Sequence, residues 1–184
     1  MKIAILILLT ITVTPKIYSQ IDSLSQYMFN QYRQDFKNLH QAAFICSLNE
    51  EDTLNINKKF RFSHIPSFHD TANIFSIELE KGDVYITNIK CKINDDYSFR
   101  WISTQTYTGK IREWAILVSK INDALFWHLN SNSIDLGLDG SRWLVEGINR
   151  RMNQFHTVYT WSPSGSFEEI GIYLASLCGE KLVN

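Results

Sequence analysis

Glu146 and His156 are the side chains in this 184-residue chain whose types and proximity suggest acid–base chemistry. A carboxylate can orient or deprotonate an imidazole, and an imidazole can shuttle a proton or ligate a metal. Asp139, shortly before them, could hold a substrate or a cation. His64 and His69 form a second group, next to Asp70. As metal ligands they would need a loop that turns both rings inward, because their separation is not the one-turn helical spacing of zinc enzymes. Each group also has a plain structural reading. Glu146 and His156 can be a cross-strand polar pair on the wetter face of a sheet, contributing up to about 1 kcal/mol. Residues 64–70 can be a polar turn with Phe68 plugged into the core.

The first pair sits in a segment with strong alternation, residues 137–163. Asp139-Gly140 is a turn signal that starts a strand. Trp143 and Val145 then share one face, with Leu144 and Glu146 on the other. The return strand alternates Phe155, Thr157, Tyr159 and Trp161 against His156, Val158 and Thr160, and Ser162-Pro163 ends it. Residues 147–153, with Arg150 and Arg151, read as the loop tip. Register decides whether Glu146 meets His156, since a slip of one residue puts them on opposite faces.

Upstream, residues 22–39 carry a helical stripe of Leu24, Tyr27, Met28, Tyr32, Phe36 and Leu39, with Ser23-x-x-Gln26 as its capping box. Gln26, Arg33, Asp35 and Lys37 form the polar face of that helix, and residues 49–52 are an acidic surface turn. Strands are expected at 60–63, 74–79 and 84–93, followed by Tyr97, Phe99, Trp101 and Ser103 in phase. The period changes over 111–129, where Trp114, Leu117, Val118, Ile121, Leu125 and Leu129 stripe a second helix. Ser166-x-x-Glu169 caps a third, which Gly179 stops. The order predicts an α+β fold: an antiparallel meander sheet of about six strands with helices packed mainly on one face.

The composition, 45% hydrophobic and 13% aromatic, suits one core, and residues 20–184 are expected to form a single domain. A formal net charge of −1 provides no cationic footprint for nucleic acid. Met1-Lys2, an apolar run over residues 3–13 and Ser19 read as a cleavable signal peptide over residues 1–19. The run is too short for an anchor, so no membrane span is expected after cleavage, and the protein is expected to be secreted or periplasmic. Cys46, Cys91 and Cys178 match no zinc motif, and small buried side chains are expected of them. No motif calls for a cofactor.

Four phrases resemble a family of uncharacterised secreted bacterial proteins: the run from Phe60 to Leu79, Phe126-Trp127-x-Leu129, Gly137-x-Asp139-Gly140-x-x-Trp143-x-x-Glu146-Gly147, and Phe155-His156-x-Val158-x-x-Trp161-Ser162-Pro163. The resemblance spans about 60–178 and implies no activity. Two functional readings remain. One is a non-catalytic binding or inhibitor-like module that recognises a protein or envelope component through loops 64–70 and 130–139. The other is a hydrolase or metal-dependent enzyme using Asp139, Glu146 and His156, with His64 or His69 reaching the same cleft. Convergence in one pocket would favour the enzyme, and dispersal would favour the module.

Overall fold

A computed structural model describes residues 25–45, 58–133 and 140–182. Strands β1 (Lys58–Pro66), β2 (Thr71–Glu80), β3 (Asp83–Ile93) and β4 (Phe99–Gly109) form an antiparallel meander. The two-residue strand β5 (Asn132–Ser133) precedes β6 (Ser141–Asn149) and β7 (Gln154–Trp161). β6 joins the other edge of β1, β7 pairs antiparallel with β6, and β5 lies parallel to β7. The sheet order is β4-β3-β2-β1-β6-β7-β5. The α+β class and the meander of six long strands are as the alternation predicts.

Helix α1 is described over residues 25–42, α2 spans Ile111–Asp123 and α3 spans Ser166–Leu177. α2 and α3 share one face, where Trp114, Leu117, Ile121, Ile170 and Leu174 pack on Phe60, Phe62, Val145 and Val158. α1 covers the other, with Phe36 and Leu39 on Ile65, Ile74, Cys91 and Leu144. Two helices to one satisfies the expectation of packing mainly on one face. It also removes the wetter face expected for β6: seven of its nine residues are buried, pointing alternately into the two cores.

Several local expectations are corrected. The second helix stops at Asp123 instead of running to 129. Leu125 turns left-handed (φ 50°), and a 3₁₀ turn, Phe126–His128, drops Phe126 into the core beside Phe60. Gly165, not Ser166, caps α3, and no side-chain capping bond forms there. Gly179 follows that helix with φ +73°, as expected of a stop. β6 continues through Gly147 to Asn149, so the loop tip reduces to the 3₁₀ turn Arg150–Met152 and Asn153. A bulge sets Trp101 opposite Cys91 but Ser103 opposite Lys90, so Trp101 and Ser103 face opposite ways with Ile102 as the extra residue. Tyr97 lies in the preceding turn with φ 60°, not in the strand. The Ser23 cap, Cys46 and the acidic segment 49–52 lie outside the described residues. Among the described residues, no helix is long and apolar enough to cross a membrane.

Candidate binding site

Register separates the proposed acid–base pair. His156 stands opposite Gly147, and Glu146 stands opposite Thr157, so Glu146 and His156 project from opposite faces. Glu146 points under α1, where Arg61 Nη1 donates to its Oε2 at 3.2 Å. Both side chains are sealed, at 2% and 3% exposure. Next along that face, His40 of α1 and Ser63 of β1 share a hydrogen bond of 2.9 Å. Burial, reinforced by the Arg61 charge, lowers the His40 pKa to about 3, so the ring is neutral. Tyr159 is pushed up, first by burial and then by the Glu146 carboxylate.

His156 lies on the α2–α3 side, edge-on to Phe126 with ring centroids 5.1 Å apart. Burial pushes its pKa below the ordinary imidazole range, although a hydrogen bond to the Leu129 backbone acts the other way. Gly147 is what lets these rings meet: a Cβ there would lie 2.8 Å from carbons of both Phe126 and Phe60. Gly140 is similarly required, since its φ is +142° and a Cβ would lie 2.1 Å from Ser162 Oγ. The Ser141 N–H donates to that Ser162 hydroxyl at 2.8 Å, and the Trp143 indole donates to Ser141 Oγ at 2.6 Å. Two of the sequence phrases thus meet as packing partners: Phe60 opposes Gly147, Arg61 opposes Glu146 and His64 opposes Trp143. Asp139 lies outside the described residues.

His64 is buried on the α2–α3 side, its ring near Phe62 and Trp143. Among the described residues, neither ring nitrogen has a hydrogen-bond partner, and neither does Oδ1 of Asn73 directly opposite. Burial lowers the His64 pKa to about 4, with the His69 charge adding to the effect. His69 itself is exposed on the loop. Among the described residues, no three His, Cys, Asp or Glu side chains gather as a metal cluster. Cys91 and Cys178 are free thiols in different cores, both raised to about 11 chiefly by burial.

The end of the sheet where β1 meets β2 is more open. There the Ser67 N–H donates to the Gly140 carbonyl, 3.0 Å, and the Ile93 N–H to the Asp70 carbonyl, 2.7 Å. These bonds hold the 67–70 loop between the 94–98 turn and the start of β6. A cleft of about 260 Å³ opens beside them, lined by Gln31, Asp35, Ile93, Tyr97, Phe99 and Arg142. Its polar wall is an ion pair between Asp35 and Arg142, and Gln31 Nε2 donates to Asp35 at 3.1 Å. The Arg142 guanidinium lies 6.0 Å from the Tyr32 ring centre, and Tyr32 in turn stacks on Trp161. Tyr97 is 75% exposed, and Phe68, on the neighbouring loop, is 74% exposed rather than plugged into the core.

Sequence reasoning named the 64–70 loop but missed the cleft. Asp35 was expected on the polar face of α1, yet it falls between Tyr32 and Phe36 and shares their buried side. Its place three residues after Tyr32 and four before Leu39 was the available signal. Neither family models nor characterised proteins match the chain.

Proposed function

We propose that this protein is a non-catalytic binding module, exported from its cell, that grips a protein or envelope component with the β1–β2 end of its sheet. The observation that carries this reading is the cleft beside the Asp35–Arg142 pair, lined by Tyr97 and neighboured by Phe68, both rings three-quarters exposed. Exposed aromatic rings bury large areas with few rotamers to fix, which makes them effective anchors. At about 260 Å³ the cleft falls short of the roughly 300–1,000 Å³ of small-molecule sites. It suits one side chain of a macromolecular partner: an apolar body against Ile93 and Phe99, and a polar end against Gln31. Asp35 and Arg142 neutralise each other, so the wall offers polarity without net charge.

The dispersal of the catalytic candidates supports the same reading, because Glu146 is engaged by Arg61 and His156 projects to the other face. Secretion and membership of the family with the Asp-Gly…Trp…Glu-Gly signature belong to this proposal too. The test is capture from an envelope extract by the immobilised protein. Phe68→Ser/Tyr97→Ser should lose the captured component while keeping its melting midpoint. Equal capture by the variant would sink the proposal.

A further inference from the structure

We propose that a second cleft, between Lys58, Lys81 and Arg151, binds a tetrahedral oxyanion, a phosphate or sulfate group. It lies at the end of the sheet remote from Phe68, where β1 begins, β2 turns into β3 and β6 turns into β7. Its volume is about 420 Å³, within the range of small-ligand sites, and its wall is completed by Leu79 and Gly82. Among the described residues, every charged side chain on that wall is a cation.

Three separate chain segments bring these charges together. Lys58 opposes both Leu79 of β2 and Asn149 of β6, so the sheet register fixes it on the side facing the α2–α3 core. Lys81 projects from a two-residue hairpin turn in which it and Gly82 have φ of 50° and 101°. A Cβ added at Gly82 would meet nothing within 4 Å, so the approach is open. Arg151 is presented by the 3₁₀ turn that joins β6 to β7.

The described acids of this end, Glu78, Glu80 and Asp83, are sorted away from the cleft. Glu78 and Glu80 alternate with Leu79 and so belong to the opposite face, as does Asp83, which pairs with Glu80. Glu78 is engaged by Lys59 at 3.6 Å on that face. Among the described residues, the one acid that reaches the trio is Glu80, 3.6 Å from Lys81, in a pair where the lysine is 73% exposed. Such exposed contacts contribute little and exchange readily for a better partner. A cleft walled by one sign of charge raises the local concentration of the opposite ion. Arg151 can present parallel N–H groups to two oxygens, while the lysines act as point charges. Oxyanion binding would offset their mutual repulsion.

The experiment is a calorimetric titration of the protein with inorganic phosphate, ionic strength held constant with chloride, and a parallel sedimentation assay with phosphatidylglycerol vesicles. Lys81→Gln, Arg151→Gln and the double variant are compared with wild type, and Lys37→Gln on the exposed side of α1 is the charge control. Each cleft substitution should weaken binding about tenfold, the double variant should abolish it, and Lys37→Gln should match wild type. Phosphate binding without vesicle binding identifies a free ligand, and vesicle binding without phosphate binding identifies a lipid headgroup. Binding to neither probe, or equal loss in Lys37→Gln, would overturn the assignment.

Discussion

Arg61 and Glu146 form a cross-strand ion pair of 3.2 Å between β1 and β6, closed over by α1. A charge so enclosed depends on its partner, and removal of one member leaves the other under-compensated. Glu146→Ala and Arg61→Ala should therefore each lower unfolding stability in urea by about 3–5 kcal/mol. Arg61→Met/Glu146→Leu should recover most of that loss. Near-neutral single alanine substitutions would mean that water reaches the pair.

The buried imidazoles predict an acid limb in the stability profile. His40 and His64 have folded pKa values of about 3 and about 4, against about 6.5 for an unfolded chain. A depressed histidine pKa favours the neutral ring, so this contribution is complete above about pH 6.5. It is lost as the pH falls toward 4 and then 3, because the unfolded chain takes up the protons first. His64→Leu should flatten the upper part of that limb. At pH 7 it should be neutral or stabilising by about 1 kcal/mol, because it removes two unpaired nitrogens. Urea midpoints at a series of pH values for both proteins give the comparison.

Gly147→Ala should destabilise by about 1–3 kcal/mol, since the new methyl meets Phe60 and Phe126 at 2.8 Å. A thermal melt reads this directly. An unchanged midpoint would show that the rings around His156 can move aside.

His64 and His69 should not hold a metal together, so His69→Ala should leave unchanged any response of the chelator-stripped protein's midpoint to zinc, manganese or calcium. His64 faces the core while His69 is exposed on the loop, and no third ligand joins them among the described residues. A ligand at a hundred times its dissociation constant adds about 2.7 kcal/mol, which a melt resolves readily. A zinc-dependent rise abolished by His69→Ala would refute this.

Much of the fold was legible because alternation and helical period survive without tertiary information. The element order, the helix stripes that pack on the sheet and the Gly179 stop could be read from spacing, whereas the second core under α1 replaced the wetter face expected for β6. What escaped depends on partners distant in sequence. The return of β7 after a short 3₁₀ turn fixed a register that aligns His156 with Gly147, which spacing alone left open. The bulge at Ile102 shifted Trp101 relative to Ser103, and no glycine or proline marked it. Arg61 read as one residue of a short strand because its partner is 85 positions away, and Asp35 read as surface because Arg142 is 107 positions away.

The measurement that tests the central claim most directly is quantitative capture of an envelope component by two variants side by side. Phe68→Ser/Tyr97→Ser removes the exposed rings, and Arg61→Met/Glu146→Leu removes the buried pair while keeping its volume. The account predicts that the first loses capture and the second retains it, both with melts showing a folded protein. Capture that survives loss of the rings but disappears with the Glu146 carboxylate would contradict it and return Glu146 to the functional site.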